Sequence, residues 1–234
     1  MKLMPIDPNL NIVRDGLIAW YDVLFQTSYP DSGTTWYDLG GNDDDGTLVG
    51  GVSYDSGNGG SLYLDGSDDY IDFNFVNPYA ETIIIWLKSA VSADWNDTGW
   101  ASSSRRENGH IIHPSTSTPK LMQFYVLDSS AAFTLVGSYT VADIDVPHMY
   151  ALSTNGSNLH KIYFDGAFDS QSTTSISRTA TPSSQTWLIG KDDLPAPNDN
   201  RYGNAYIYSC YRYNRQLSDS EITHIYNQTK GRFI

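Results

Sequence analysis

The residues best equipped for chemistry lie in two polar stretches. One is Asp94-Trp-Asn-Asp with Trp100 close behind it. The other is Asp192-Asp-Leu-Pro-Ala-Pro-Asn-Asp-Asn, followed by Tyr202. Indole and phenol rings stack on the apolar face of a pyranose, and Asp or Asn beside them hydrogen-bond the hydroxyls at its edge. Trp95, Trp100, Asn96, Asp97 and Tyr202 therefore form the candidate glycan-binding set, provided both loops share one rim. The competing reading has the tryptophans covering the end of the core or meeting a partner subunit. The same loops offer carboxylates: Asp94, Asp97, Asp192, Asp193 and Asp199 are the candidate ligands for calcium, which takes several oxygens from flexible loops. Asp43-Asp-Asp-Gly is a third acidic loop but lacks the closing Glu of an EF-hand. Asp is also a common turn residue, which accounts for all these positions without a metal.

Other chemistries are poorly served. There is no Gly-x-Ser-x-Gly, phosphate-loop or His-Glu-x-x-His pattern. His110 and His113 are three apart, so on a strand they face opposite sides and make a poor metal pair. Cys210, the single cysteine, sits inside a strand pattern and reads as a buried, inert thiol. It allows no disulfide within the chain.

The 234 residues suffice for one large β domain or two small ones, and no second-domain linker or internal repeat is visible. The 17 tyrosines and many Gly, Ser, Thr, Asn and Asp favour short strands joined by tight turns. Net charge is −13, and only three of the 27 acidic residues are Glu, so the charge belongs to loops. An acidic surface argues against nucleic acid or an anionic membrane as partner. The longest apolar run, Ile83 to Leu87, cannot span a bilayer. Met1 to Asn9 has no apolar run of signal-peptide length, which implies synthesis and folding in a cytoplasm.

Residues 1–15 show no periodicity and contain Pro5 and Pro8; they read as an extended arm. Residues 16–234 form the domain. Strands are expected at Leu17 to Tyr21, Leu62 to Leu64, Tyr70 to Phe73, Ile83 to Leu87, Ile111-Ile112, Leu121 to Leu127, Phe133 to Val136, Met149 to Leu152, Lys161 to Phe164, Trp187 to Gly190 and Ala205 to Tyr213. Asn108-Gly109, Asn155-Gly156 and Asp165-Gly166 supply turns. One helix is expected near the C-terminus. Ser218 and Glu221 form a capping box, Leu217 and Ile222 a hydrophobic staple, and Ile222, Ile225 and Tyr226 an apolar stripe. Gly231 is placed to end it in the left-handed conformation. The fold class is an all-β, antiparallel two-sheet jelly-roll sandwich with one short C-terminal helix.

Four segments, in this order, resemble the laminin-G-like jelly rolls of the concanavalin-A-like lectin/glucanase superfamily. They are Gly16-Leu-Ile-Ala-Trp-Tyr-Asp with the Ser28 to Leu39 stretch, Ser61-Leu-Tyr-Leu-Asp-Gly, Leu159 to Gly166, and Ile189 through Ile222. The spelling Ser28-Tyr-Pro-Asp-Ser-Gly-Thr-Thr-Trp-Tyr-Asp-Leu is similar to the version in structural proteins of tailed bacteriophages. That resemblance implies a capsid decoration or tail- or fibre-associated protein, exposed on the virion and held there by the arm. It also implies a calcium at the sandwich rim, as in many relatives. Hydrolases of the superfamily carry a Glu-x-Asp-x-x-Glu strand, which this chain lacks. A lyase-type site would use Arg105, His113, Gln123 and Tyr125, although the family's spelling of those motifs is missing. The expectation is a non-enzymatic virion protein that binds host or environmental glycans. Virion proteins are its partners, a symmetric homo-oligomer is its assembly, and membrane insertion is not expected. A calcium-dependent lectin is the alternative, and a polysaccharide lyase or hydrolase the third.

Overall fold

The computed structural model describes residues 10–42, 44–91, 102–104, 107–115, 117–179, 184–192 and 201–233. In chain order the strands begin with β1 (Leu17–Asp22), β2 (Thr35–Trp36), β3 (Gly46–Val49), β4 (Ser53–Asp55), β5 (Ser61–Asp65) and β6 (Tyr70–Val76). They continue with β7 (Glu81–Ser89), β8 (Ser102–Ser104), β9 (His110–Pro114), β10 (Leu121–Leu127) and β11 (Phe133–Thr140). The last are β12 (His148–Thr154), β13 (His160–Phe164), β14 (Ala167–Ser172), β15 (Ser184–Ile189) and β16 (Asn204–Tyr213), before helix α1 (Asp219–Thr229).

Two antiparallel sheets pack face to face. The first runs β14-β13-β12-β7-β16-β5-β4, with β1 paired to the distal half of β16. The second runs β11-β10-β9-β8-β15-β6-β3-β2. Alternation along the strands sends Ile71, Phe73 and Phe75 inward from β6, and Met122, Phe124 and Val126 inward from β10. Phe73 stacks on Trp187 at 4.5 Å, and Tyr21 and Trp36 close the same cluster. Each such ring pair adds roughly 0.5–1.5 kcal/mol beyond its buried area. β7 is buried from Glu81 to Leu87, because its outer face is covered too.

That cover is α1. Ser218 Oγ accepts from the Glu221 N–H at 3.3 Å, and the Ser218 N–H donates to Glu221 Oε2 at 2.8 Å. The capping box thereby satisfies two orphan backbone donors. Leu217, Ile222 and Ile225 bury against Ile84, Trp86, Ala151 and Tyr163 on the first sheet. Gly166, at the tip of the β13–β14 hairpin, lets the helix approach closely. A Cβ there would come within 2.4 Å of the Tyr226 Cβ, and φ is positive at both Asp165 and Gly166, as a type I′ turn needs. The end of the helix departs from expectation. Instead of a left-handed Gly231, the chain continues into a right-handed 3₁₀ turn over Lys230–Arg232. Tertiary contacts hold it there: Phe233 packs between Trp86 (4.5 Å) and Tyr208 (4.9 Å), and Arg232 pairs with the buried Asp22.

Residues 10–15 lie along the same face. Ile12 is buried there, the Tyr213 hydroxyl donates to Val13 O (3.0 Å), and Arg14 sits over the Trp20 ring (4.7 Å). Cys210 is fully buried in the core between the sheets, and burial pushes its thiol well above the ordinary range. This matches the inert thiol read from its strand.

Candidate functional site

Four connections meet at one end of the sandwich. The hairpin between β15 and β16 zips beyond its strands: the Gly203 N–H donates to Gly190 O (2.6 Å), Lys191 bridges Tyr202, and the Asp192 N–H donates to Arg201 O (3.1 Å). Residues 193–200 begin and end on that ladder. The Ala90 N–H donates to Asn204 O at 3.1 Å, so the end of β7 lies beside it. Asn204 pairs with Asp65, which brings in the β5–β6 turn. The Gly51 N–H reaches Asp69 Oδ1, which adds the β3–β4 turn.

Tyr202 is the member of the candidate glycan set that the structure describes. Its ring lies 6.3 Å from that of Tyr70, the first residue of β6. Lys191 Nζ is 4.6 Å from the Tyr70 ring and 5.2 Å from the Tyr202 ring, so one ammonium is shared by two π faces. Asp72 is two residues along β6 and faces the same way. Burial lifts its carboxyl above the usual range, and the Lys191 charge opposes that lift. Two rings, one cation and one carboxyl thus share a half-buried surface. Such a surface can stack a sugar and both donate to and accept from its hydroxyls. Trp95, Asn96, Asp97, Trp100 and Asp94 lie outside the described residues, as do Asp193 and Asp199. The positions flanking those segments, Val91, Asp192 and Arg201, all belong to this one rim. Sequence reading missed Tyr70 and Lys191. Tyr70 looks like an ordinary outward strand residue, and nothing local marks Lys191 as its neighbour.

The rim is also acidic. Carboxylate oxygens of Asp65, Asp68 and Asp69 lie within 4.8 Å of one another. Asp69 is buried, with Oδ1 accepting from Gly51 and Oδ2 from the Asp65 N–H (3.1 Å), while Asp65 Oδ1 accepts from the Ser67 N–H (2.7 Å). Asp192 is buried 4.0 Å from Arg201 Nη1. Asp65 and Asp69 thus shape the turns, and one oxygen from each of Asp65, Asp68 and Asp69 lies close enough to share a single cation.

Asp72 also belongs to a row of directly paired positions across the outer face of the second sheet: Thr47, Asp72, Leu188, Ser103, Ile111, Tyr125 and Leu135. Seven strands at about 4.8 Å spacing span roughly 29 Å. At the far side of that row His113 pairs with Gln123 and stacks on Tyr125 at 5.6 Å. Three of the four residues of the lyase-type set therefore share a face, and Arg105 lies outside the described residues. His110 points inward, as expected, and His113 outward. Of the three glutamates, Glu81 is buried in an ion pair with Arg178 and Arg212, Glu221 closes the helix cap, and Glu107 lies in an exposed turn at the other end.

The match to known proteins follows this architecture. Residues 65–223, more than half of the chain, match a laminin-G-type family described as the concanavalin A-like lectin/glucanases superfamily. The chain belongs to that superfamily. No curated protein matches it in sequence. The binding domain of botulinum neurotoxin serotype D resembles it with a TM-score of 0.66 at 13% identity, over 93% of this chain and 53% of the other. Domain 4 of an extracellular arabinanase from Geobacillus stearothermophilus, in complex with arabinotriose, resembles it with a TM-score of 0.64 at 17% identity, over 89% of this chain and 97% of the other. This superfamily member spans about half the length of the toxin binding domains it matches. At these identities the likeness is one of fold.

Proposed function

We propose that this chain is a non-enzymatic glycan-recognition module whose sugar-facing site is the Tyr70–Tyr202–Lys191–Asp72 platform. The carrying observation is the pair of tyrosine rings sharing one lysine at the rim. The rings supply stacking area, Lys191 donates to ring or hydroxyl oxygens, and Asp72 accepts from hydroxyls. The likeness of fold to an arabinanase domain in complex with arabinotriose supports the reading. The test is a glycan screen with purified protein, with and without calcium. Tyr202→Ala and Lys191→Ala should each weaken binding of any hit at least tenfold without lowering stability. Unchanged affinity in both variants would refute the platform. A dependence on calcium would direct attention to Asp94, Asp97, Asp192, Asp193 and Asp199.

The setting we infer is a phage particle, on the spelling of residues 28–39. Residues 1–9 would then contact neighbouring virion proteins, since residues 10–15 are engaged with the domain itself. Deleting residues 1–9 should abolish incorporation into particles while leaving a folded domain. A second reading, lyase chemistry on the outer face of the second sheet, has the cofacial His113, Gln123 and Tyr125 in its favour. Release of unsaturated oligosaccharides from alginate, lost in Tyr125→Phe, would establish it in place of the non-enzymatic one.

A further inference from the structure

Two consecutive strands carry the same three-residue spelling. β5 holds Tyr63-Leu-Asp65 and β6 holds Tyr70-Ile-Asp72. In each, the aliphatic residue, Leu64 or Ile71, is fully buried between the sheets. The flanking Tyr and Asp therefore point outward on one face. β5 belongs to the first sheet and β6 to the second, so the two Tyr–Asp pairs look out from opposite sides of the sandwich. Tyr70 and Asp72 belong to the Tyr202 platform, and Tyr63 does not.

The surroundings repeat as well. Tyr70 has Tyr202 and Lys191 beside it, and Tyr63 has Tyr206 and Lys88. Tyr63 and Tyr206 are directly opposed across β5 and β16, with ring centroids 5.0 Å apart and planes inclined by 34°. Lys88, opposite Tyr206 on β7, holds its Nζ 4.4 Å from the centre of the Tyr206 ring. Ser53 on β4 lies opposite Tyr63 on the other side and is exposed. The row Lys88, Tyr206, Tyr63, Ser53 thus crosses four neighbouring strands, with two rings in the middle and a hydrogen-bonding group at each end. Nearer the rim on the same face, Asp65 pairs with Asn204. On the side away from the rim, Phe233 covers Trp86 and Tyr208 and gives the shelf a wall. Tyr63, Tyr206 and Lys88 are half-buried, which leaves ring surface open to a ligand. Burial lifts the Tyr63 phenol above its ordinary range, and Tyr206, Asp65 and Asp69 push it the same way.

We propose that the Tyr63–Tyr206–Lys88 shelf is a second sugar site, on the opposite side of the sandwich from the Tyr202 platform, and that it takes a neutral pyranose chain. Sugar as the ligand class rests on the proposed site at Tyr202, whose groups the shelf repeats. The two rings stack on the apolar faces of the sugar, Lys88 and Asn204 donate to its hydroxyls, and Asp65 and Ser53 accept from them. Lys88 and Asp65 balance in charge, and a chain of net charge −13 repels acidic polymers, so the ligand is neutral. One chain then holds two sugar segments, one on each side.

Amide NMR titration of the full chain tests this, with neutral trisaccharides of glucose, N-acetylglucosamine and galactose at millimolar concentration as probes. The expected result is that at least one probe moves two separate groups of resonances. One group surrounds Tyr63, Tyr206 and Lys88, and the other surrounds Tyr70, Lys191 and Tyr202. Lys88→Ala, which keeps both rings, and Tyr63→Ala should each weaken binding at the shelf by about fivefold or more, the worth of one hydrogen bond or ring contact. Both should leave the Tyr202 group unchanged, which also shows that the variants fold. Tyr202→Ala should do the reverse. Shifts confined to Tyr70, Lys191 and Tyr202 would overturn the second site and leave the first standing. Shifts confined to the shelf and weakened by Lys88→Ala would support the shelf and refute the Tyr202 site instead. Shelf shifts that persist unweakened in both Lys88→Ala and Tyr63→Ala, or no shifts with any of the three probes, would overturn the proposal.

Discussion

Glu81 holds the end of the sandwich opposite the rim. Its carboxylate is fully buried between Arg178 Nη1 (3.0 Å) and Arg212 Nη2 (3.1 Å), and Arg212 lies over the Phe75 and Trp187 rings. Burial drives this carboxyl up, but the guanidiniums and His110 outweigh it and hold it below the usual range. Replacing Glu81 by Gln leaves two buried cations short of their counter-charge, which costs about 3–5 kcal/mol. Urea unfolding should show that loss, and a loss near zero would mean that the arginines find other partners. His110, beside Glu81, is pushed down to about 3, first by burial and further by the two arginines, against the pull of Glu81. Its folded value lies below its unfolded value of about 6.5, so from pH 6.5 downward the unfolded chain takes up a proton that the native one refuses. Stability should therefore fall from pH 6.5 to 5, above the carboxylate range, and His110→Gln should flatten that decline. A decline of the same slope in the variant would assign it to another group. None of this network is readable locally. Glu81 is legible as the first residue of a strand, but its partners lie 97 and 131 positions away.

At the scale of elements, the legible parts are those whose signals are short-range. The capping box, the staple and the Asp165-Gly166 turn each involve residues within a few positions, and each forms as read. Gly231 fails for the opposite reason. A glycine permits the left-handed conformation without requiring it, and Phe233 and Arg232 have partners that a right-handed turn reaches. The segment before β1 shows the same division. Its proline-bearing spelling is legible as extended, whereas the burial of Ile12 against the helix depends on β16 and α1. Deleting residues 1–9 should leave the unfolding free energy unchanged. Deleting 1–15 should lower it by about 1.5–3 kcal/mol, the worth of one buried isoleucine side chain. Equal stability of the two truncations would show that the Ile12 contact contributes little.

For the molecule as a whole, the sandwich gathers its polar chemistry at one rim and one outer sheet face, while α1 and residues 10–13 close the other. The sequence makes the two loops conspicuous as acidic, aromatic stretches, but the approach of their flanking residues Val91, Asp192 and Arg201 depends on a ladder between β15 and β16 and one bond from Ala90 to Asn204. Glycan recognition at the rim, as proposed, runs through Tyr202 and its neighbours. The most direct measurement is a titration of the best screened glycan against wild type and Tyr202→Ala in the same buffer. Binding by wild type that drops at least tenfold in the variant is the expected result. Equal affinity of the two proteins would mean that the rim is not the sugar site.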